Sequence, residues 1–559
     1  MKARDRVGAG DVNAGSGRWW SLAALILVVA CGGGGGATGT TPFGEGSGST
    51  PLGSGAGTPP FGAGSGSGSG LTGDGPLPTA DPAVVVSDDA IQGTVVNSST
   101  GIPLAGATVA FAGTTLTTGS DGAYGQQTAA ASSRVLFETS AANYETLYAP
   151  AEVLGTVPSV GLQRLTSFGT TADVTVATGG TVTDTASTAS VTLPPNALGP
   201  AGGGAAPSTV GVRVTQIAVA TNSRLLSGDY TDDNFAPLET FGGVTLSSSV
   251  PLNVASGQTL TLSIPVSSRG AALATANLYR FDPVSGRWVQ SGTATLSGGV
   301  YTGAVSAFGQ WMVGSAIANA VPVTGCVNDD AGLPAANVRV EADGSTYSGT
   351  SAATTNAQGE FTLLARPGSQ IVVSGRRGPY LTNAAAAGPT SFAISPCLTL
   401  PSSNAATMRL TWGPQPLDID SHLRTPDGAH VDFTSQGSLT QAPFSSLDVD
   451  WTRGSGTEVT TIRRPRVGIY RFYLHNFSQS FTPGMTGSPT RVELNYVGRT
   501  VVFSPPPGEG SALYWHMFDL YIAPNCTMTL YRYNRWRTDE PQNPNASTAT
   551  ATATECVPS

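Results

Sequence analysis

Short runs in which apolar and polar residues alternate recur along most of the chain. Examples are GVRVTQIAVA at residues 211–220 and LTLSIPV at residues 260–266, and glycine-rich turns separate such runs. Because successive side chains of a strand point to opposite faces, this alternation predicts strands with one buried face. Few segments show a helical period. The chain is therefore predicted to be all-β, with several β-sandwich domains of the immunoglobulin or transthyretin type in series.

The first apolar run is of another kind. Residues 19–30 are apolar and lie between four upstream basic residues and Cys31. At ~1.5 Å per residue the run spans only ~18 Å, less than the ~30 Å hydrocarbon core of a bilayer. The charged start, the short apolar run and the small residues before the cysteine predict a secretory signal peptide over residues 1–30. The cysteine resembles that of a bacterial lipobox, which implies cleavage before Cys31 and its lipidation. An ordinary signal peptide with an incidental cysteine is the alternative.

A linker follows this cysteine. Residues 31–84 are mostly Gly, Ser, Thr and Pro, and they include GSGSGSG at residues 64–70. Such a composition predicts a disordered linker with an end-to-end distance of roughly 40 Å. Several acyl chains on Cys31 would give a stable membrane anchor. The predicted location is the outer membrane or the cell surface, with the periplasmic face left open. Gly32 resembles the residue that permits transfer to an outer membrane.

Two parts of the chain repeat one pattern. IQGTVVNSSTGIPLAGATVAF (residues 91–111) and TTGSDGAY (117–124) correspond to VTGCVNDDAGLPAANVRVEA (323–342) and TTNAQGEF (354–361). In both copies a strand that contains glycine is followed by a Gly-x-Pro turn, a second strand, and a turn before an aromatic residue. This pattern resembles the carboxypeptidase regulatory-like domain, a small transthyretin-like β-sandwich. The resemblance implies a spacer or binding module without peptidase chemistry.

Three segments near the C-terminus carry a second resemblance. LTWGPQPLDIDSHLRTPDG (residues 410–428), SLDVDWTRGSGTEV (446–459) and RVGIYRFYLHNF (466–477) together resemble an uncharacterised bacterial domain typified by YfaP-like proteins. The chain departs from that family's pattern at Ser421, where leucine is more common. The resemblance implies a β-sandwich and no known activity.

These observations divide the chain into seven segments. The region between the two repeat copies is strand-like throughout, and Trp288 and Trp311 are predicted to be core aromatics rather than a sugar-binding platform. The segments are a signal peptide (1–30), a lipidated cysteine with its linker (31–84), a carboxypeptidase regulatory-like domain (85–164), a β-rich domain (165–318), a second carboxypeptidase regulatory-like domain (319–403), a YfaP-like β-sandwich (404–538) and a tail (539–559).

Carboxylates cluster in the YfaP-like segment. Alternation along a strand places Asp418 and Asp420 on one face, and it does the same for Asp448 and Asp450. If the two strands are neighbours, the four carboxylates converge, with Glu458 nearby. Packed carboxylates raise one another's pKa, and Ca²⁺ prefers six to eight oxygen ligands. These five residues are therefore predicted to bind Ca²⁺.

Two other interpretations of this cluster stay open. In one, the carboxylates are solvated or pair with arginines of the same domain, namely Arg424, Arg463 and Arg471. In the other, Asp418 or Asp448 acts with His422 in a hydrolase. His475 is interpreted as a core or edge residue of a strand.

Four cysteines remain after Cys31. Disulfides persist in the oxidising environment that exported proteins meet, so this even number predicts two bridges with three possible pairings. We favour Cys326–Cys397, which flank one predicted domain, and Cys526–Cys556, which would pin the tail.

Charge and motif content narrow the function. The net charge is −9 and Lys2 is the only lysine, which argues against nucleic-acid binding because that requires a basic surface. The sequence has no HExxH motif, P-loop, or G-x-S-x-G elbow before a helix. We therefore predict a non-enzymatic, membrane-anchored surface lipoprotein that displays β-sandwich binding or structural modules. The alternatives are a Ca²⁺-dependent adhesin for carbohydrate or protein, and a hydrolase that uses the C-terminal carboxylates.

Overall fold

The computed structural model describes residues 78–81, 90–127, 133–154, 157–158, 161–201, 207–378, 380–401, 405–497, 499–545 and 553–557. All of them belong to one of the two units into which the chain divides, Gly70–Ser559. Within these ranges the regular structure is strand, apart from two short 3₁₀ helices at Ser223–Leu225 and Gly484–Gly487. The predicted all-β class is thus confirmed. No helix in the described ranges is long and apolar enough to cross a membrane. The predicted signal peptide, Cys31 and most of the predicted linker lie outside the described residues.

Eight strands form the first sandwich. They are β1 (Ala90–Asn97), β2 (Thr108–Phe111), β3 (Thr114–Thr117), β4 (Ala123–Gln127), β5 (Ser133–Ser140), β6 (Leu147–Leu154), β7 (Val157–Pro158) and β8 (Leu162–Leu165). One sheet has the order β4-β1-β8 and the other β3-β2-β5-β6-β7. Val95 of the first sheet and Phe137 of the second share one buried core, so the two sheets pack face to face.

The next twelve strands form a second unit with one large sheet. They are β9 (Thr170–Thr175), β10 (Gly180–Thr183), β11 (Ser190–Leu193), β12 (Leu198–Pro200), β13 (Thr209–Ile217), β14 (Leu238–Ser248), β15 (Leu252–Val254), β16 (Leu260–Pro265), β17 (Thr275–Asp282), β18 (Arg287–Ser297), β19 (Val300–Val305) and β20 (Gly309–Ala316). The order is β10-β11-β16-β19-β18-β17-β20-β14-β13-β9, and β12 pairs separately with β15. Val174 of β9 and Val191 of β11 share one core although they come from opposite ends of the sheet, so the sheet curls on itself. We call this unit the second sandwich. Trp288 and Trp311 are fully buried, which confirms them as core aromatics.

Seven strands form the third sandwich. They are β21 (Val321–Asn328), β22 (Arg339–Gly344), β23 (Thr350–Thr354), β24 (Glu360–Ala365), β25 (Ile371–Arg377), β26 (Tyr380–Ala387) and β27 (Leu398–Thr399). The sheets have the orders β24-β21-β27 and β23-β22-β25-β26. Cys326 on β21 is bonded to Cys397, just before β27, so this predicted disulfide joins two strands of one sheet.

The sequence repeat between the first and third sandwiches is also a structural repeat. In each, a central strand pairs antiparallel with the strand that carries the aromatic residue and parallel with a later strand. Gly93 lies opposite Tyr124, and Gly325 lies opposite Phe361. A Cβ at either glycine would overlap the facing aromatic ring. The glycine of the repeat therefore makes room for the buried aromatic.

Eleven strands form the fourth sandwich. They are β28 (Ala406–Thr411), β29 (Asp420–Arg424), β30 (His430–Val431), β31 (Gly437–Ser438), β32 (Ser445–Val449), β33 (Thr457–Ile462), β34 (Gly468–His475), β35 (Arg491–Tyr496), β36 (Arg499–Phe503), β37 (Tyr514–Ile522) and β38 (Met528–Arg537). One sheet has the order β31-β32-β33-β28-β35-β36 and the other β30-β29-β34-β37-β38. Cys526 is bonded to Cys556, so the second predicted disulfide holds part of the tail against this sandwich.

A short part of the predicted linker pairs with the edge strand β38. Ala80 forms a β-bridge with Tyr531, and the N–H of Asp81 donates to the carbonyl of Leu530 at 2.9 Å. Nε of Arg532 lies 2.9 Å from a carboxylate oxygen of Asp81. An edge strand offers unpaired N–H and C=O groups to a passing chain. Residues 78–81 are therefore an exception to the linker prediction.

One face of β22 carries charges toward the neighbouring sandwiches. Val340 and Ala342 belong to the core of the third sandwich. Alternation places Arg339, Glu341 and Asp343 on the opposite face. The sequence alone would assign that charged face to solvent.

Charges from three sandwiches meet at this face. Arg224, from the second sandwich, lies 2.7 Å from Glu341 and 2.9 Å from Asp343 through its two terminal nitrogens. Nη2 of Arg409, from the fourth sandwich, lies 2.7 Å from Oδ2 of Asp343. Their side chains are at most about one-third exposed. We call Arg224, Arg339, Glu341, Asp343 and Arg409 the ion-pair hub.

The first and fourth sandwiches also touch each other. Arg164 of the first forms an ion pair with Glu493 of the fourth. The hydroxyl of Ser504 donates to the carbonyl of Thr100. The four sandwiches follow one another in sequence, but the first and the last are in contact.

The ion-pair hub makes stability depend on pH. Burial alone would raise the pKa of Glu341, but the charges of Arg224 and Arg339 outweigh it and lower that pKa to about 2. The pKa of Asp343 is likewise lowered, against the effect of burial, by Arg224 and Arg409. Carboxyl groups of an unfolded chain titrate near pH ~4. Because the folded-state values are lower, the hub contributes fully above that pH and loses its contribution as pH falls toward ~2.

We expect the variant Glu341→Gln/Asp343→Asn to be less stable than the wild type at neutral pH, with a difference that shrinks between about pH 4.5 and pH 2. Urea unfolding followed by tryptophan fluorescence at several pH values measures this difference. A difference that stays constant over the whole range would contradict the assigned pairing.

Candidate functional site

β29 presents two polar side chains on the face opposite its core residues. Ile419 and Leu423 lie in the core of the fourth sandwich, and alternation puts Asp420 and His422 on the other face. That face is covered, because Asp420 is only 3% and His422 only 5% exposed. β29 pairs with β34 in a register that sets Asp420 opposite His475. Strand pairing therefore brings together residues that are distant in sequence.

Asp420, His422 and His475 form a group that we call the histidine–aspartate triad. Nδ1 of His475 lies 3.8 Å from Oδ2 of Asp420, and one ligand atom from each residue lies within 4.8 Å of the others. Oδ2 of Asp420 and Nε2 of His422 are buried and have no hydrogen-bond partner among the described residues. A buried polar atom without a partner costs about 1–3 kcal/mol. These two atoms make the triad a candidate ligand site.

Neighbouring side chains fix the orientation of His422. Its Nδ1 lies 2.9 Å from Nε2 of His430, whose Nδ1 lies 3.3 Å from Oδ2 of Asp432. The His422 ring also stacks on Tyr473, with 4.9 Å between ring centroids. Burial, and then the adjacent His430, lower the pKa of His422 to about 3. The ring is therefore neutral at pH 7, and a neutral, oriented imidazole suits a metal ligand better than a general acid.

A group of carboxylates adjoins the triad. Asp420, Asp450 and Glu458 have oxygens within 4.8 Å of one another. Glu458 comes from β33 in the other sheet, and it accepts hydrogen bonds from the N–H groups of Ser421 at 2.9 Å and Trp451 at 3.5 Å. Burial, with smaller effects from neighbouring aspartates, raises the pKa of Asp420 to about 7. Burial likewise raises the pKa of Glu458 well above its ordinary value.

Four of the five predicted Ca²⁺ ligands lie near one another. Asp420, Asp450 and Glu458 make the group just described, and the pKa of Asp418 is raised by burial and by the charge of Asp450. Ca²⁺ binding by these carboxylates stays a prediction. The arginines considered as their partners bond to other carboxylates: Arg424 to Glu540, Arg463 to Asp330 and Arg471 to Asp519.

Asp448, the fifth predicted ligand, lies apart from this group. Its Oδ2 accepts hydrogen bonds from the Thr461 hydroxyl at 2.6 Å and the Ala384 N–H at 3.4 Å. The two acidic strands are not neighbours, because β29 and β32 belong to different sheets. β32 also bulges at Asp448, which its pairing with β33 skips. A bulge changes the direction of successive side chains, so Asp448 does not converge with Asp450 as expected.

Several residues at the site were not predicted as site residues. His475 and Tyr473 lie on β34, and His430 lies on β30. A usable signal was the pairing of two short patterns, Asp-x-His on β29 and Tyr-x-His on β34, each of which places its two side chains on one face. Pairing them requires the strand register, which a single sequence does not show.

Aromatic rings border the histidine–aspartate triad. Tyr514 stacks on His475 with 4.6 Å between ring centroids, and Phe477 meets His475 edge to face at 5.8 Å. Phe433 packs against Phe477 at 5.4 Å. Phe433 is 39% and Phe477 48% exposed. We call Phe433, Phe477 and Tyr514 the aromatic rim. The site thus combines buried metal-ligating groups with exposed apolar surface.

No family model matches the chain, and no curated protein matches it. The resemblances to carboxypeptidase regulatory-like and YfaP-like domains therefore remain sequence predictions. Among solved structures, the chain is similar to two forms of BcpA, the major pilin subunit of Bacillus cereus. Both matches have 8% identity and cover 56% of this chain and 98% of the pilin, with TM-scores of 0.13 and 0.12. It is also similar to SGBP-B of the Bacteroides ovatus mixed-linkage glucan utilization locus, in complex with a mixed-linkage heptasaccharide. That match has 11% identity and a TM-score of 0.09, and it covers 66% of this chain and 94% of SGBP-B. At these TM-scores none of the three similarities carries a functional argument.

Proposed function

We propose that this chain is an exported, lipid-anchored surface protein that displays β-sandwich modules for binding or structural support and has no catalytic activity of its own. The observation that carries the proposal is the use of its five cysteines. Two disulfides, Cys326–Cys397 and Cys526–Cys556, use four of them. The remaining cysteine is Cys31, the one that the lipobox resemblance marks for acylation. Disulfides also fit the oxidising environment outside the cytoplasm.

The packing of the sandwiches suits display. The ion-pair hub and the contact between the first and fourth sandwiches hold the modules against one another. A linker of the predicted length, roughly 40 Å from end to end, would separate them from lipid headgroups. Acylation at one end and a rigid assembly at the other would present the fourth sandwich away from the membrane.

The anchor can be tested by fractionating cells. We expect the wild type to be found in the membrane fraction and Cys31→Ala to be lost from it, because acyl chains supply the membrane affinity. The matched control is Cys326→Ser/Cys397→Ser, which also lacks cysteines and should stay in the membrane fraction. Equal membrane association of the wild type and Cys31→Ala would contradict lipid anchoring.

A second candidate function is carbohydrate binding at the aromatic rim. Phe433 and Phe477 are adjacent and exposed, and aromatic faces combined with a few polar groups are typical of ligand sites. This function is compatible with surface display.

We expect Phe433→Ala/Phe477→Ala to weaken retention on a responsive polysaccharide by about tenfold, since each buried aromatic contact contributes on the order of 1 kcal/mol. Affinity electrophoresis through a panel of soluble polysaccharides measures retention. Leu333→Ala, an exposed apolar residue of the third sandwich, is the control. Unchanged retention in the double variant, or no retention of the wild type, would exclude the rim as a sugar site.

A further inference from the structure

We propose that the histidine–aspartate triad binds a divalent transition-metal ion of the zinc class, with Asp420, His422 and His475 as its protein ligands. Two imidazoles and one carboxylate form a ligand set that suits Zn²⁺ and neighbouring divalent metals. Three protein ligands would leave a coordination position for water or for an external ligand. The site lies beside the aromatic rim, but the proposal does not depend on lipid anchoring or on sugar binding.

The first support is a pair of buried atoms without partners. Oδ2 of Asp420 and Nε2 of His422 have no hydrogen-bond partner among the described residues, and both residues are at least 95% buried. Buried polar groups in folded proteins are nearly always paired. A metal ion between these atoms would satisfy both.

The second support is the set of contacts behind His422. If Nδ1 of His422 donates to Nε2 of His430, and Nδ1 of His430 donates to Asp432, each nitrogen in this chain has a defined role. The arrangement leaves the lone pair of Nε2 on His422 directed away from His430. Metal-ligating histidines typically donate their other N–H to such an outer partner, which orients the ring and increases its basicity.

The third support is the separation of the ligand atoms. With bonds of about 2.1 Å, tetrahedral ligands lie ~3.4 Å apart. Nδ1 of His475 and Oδ2 of Asp420 are 3.8 Å apart, and the three ligand atoms are within 4.8 Å of one another. A small inward rotation of the side chains would complete the coordination.

The same geometry argues against Ca²⁺ at the triad. Ca²⁺ binds six to eight oxygens and does not prefer imidazole. Of the nearby carboxylates, Glu458 already uses both oxygens to accept backbone N–H groups. Asp450 belongs to the carboxylate group but not to the triad. It therefore distinguishes the two kinds of site.

The test uses the full chain, purified in detergent without a histidine tag and stripped with EDTA. Co²⁺ is titrated while its visible d–d absorption is recorded, and Zn²⁺ and Ca²⁺ are titrated by calorimetry. We expect one Co²⁺ per chain, displaced by Zn²⁺ but not by millimolar Ca²⁺. His475→Ala should lower the affinity by about 100-fold or more, at least as much as the loss of an outer-shell partner. Asp450→Asn should change it by less than about threefold.

The result that overturns the proposal is no Co²⁺ or Zn²⁺ uptake by the wild type, or equal affinity in His475→Ala. Loss of binding in Asp450→Asn alone, or displacement by Ca²⁺, would assign the ion to the carboxylate group and also overturn it. His475→Gln keeps the side-chain volume and provides a second test if the alanine variant unfolds. Failure of membrane anchoring affects none of these measurements, so the two proposals can fail separately.

Discussion

Replacing Asp343 by alanine should lower the stability of the folded chain by about 3–5 kcal/mol, the cost expected when one partner of a buried ion pair is removed. Asp343 accepts hydrogen bonds from Arg224 of the second sandwich and Arg409 of the fourth. Without its carboxylate, both guanidinium groups would lie in a largely buried contact with fewer anions to balance them. The midpoint of urea unfolding and the calorimetric transition measure the loss.

The matched control is Asp539→Ala. Asp539 pairs with Arg537, but its side chain is 70% exposed. Exposed pairs contribute about 0–1 kcal/mol, so this variant should unfold close to the wild type. If Asp343→Ala also changed stability by less than about 1 kcal/mol, the ion-pair hub would not be buried in solution.

Removing the disulfide of the third sandwich should have an effect of similar size. Cys326–Cys397 closes a segment with a sequence separation of 71 residues, and chain-entropy arguments give about 4 kcal/mol for such a loop. We expect Cys326→Ser/Cys397→Ser to lose about that much stability under non-reducing conditions. Replacing both cysteines avoids a free thiol that could pair wrongly.

The second disulfide provides the comparison. Cys526–Cys556 has a sequence separation of 30 residues, so Cys526→Ser/Cys556→Ser should lose slightly less, about 3.5 kcal/mol. With reducing agent present, the wild type should fall to the stability of a variant without bridges. Unfolding midpoints that do not change when either bridge is removed would contradict a stabilising role for the disulfides.

Local patterns were sufficient to predict much of the fold. Alternation predicted strands, and the glycine and aromatic residue of the repeat predicted a shared arrangement that the pairs Gly93–Tyr124 and Gly325–Phe361 now explain. The parity of the cysteines and their positions around one domain predicted both bridges. These features depend on neighbours close in sequence or on conserved strand geometry, which a single chain reveals.

The contacts between sandwiches could not be predicted in the same way. The Arg-x-Glu-x-Asp alternation on β22 has the appearance of a solvated strand face, because charged residues are rarely buried unless they are paired. Their partners, Arg224 and Arg409, come from other sandwiches. Nothing in the sequence indicates which distant arginines will face this strand.

The candidate site was predicted in part for the same reason. Asp420, Asp450 and Glu458 were predicted from acidic spacing and do lie together. Asp448 was included because regular alternation was assumed, and the bulge in β32 breaks that alternation. His475 was interpreted as a strand residue, and its position opposite Asp420 depends on the register between β29 and β34.

The account depends most on export with an acylated N-terminus. Digestion of the purified chain with Glu-C cuts after Glu45, so mass spectrometry of the N-terminal peptide reads the modification directly. We predict a peptide of residues 31–45 whose first residue, Cys31, carries acyl chains. A peptide that begins at Met1, or one in which Cys31 is unmodified, would contradict the proposal that this chain is a lipid-anchored surface protein.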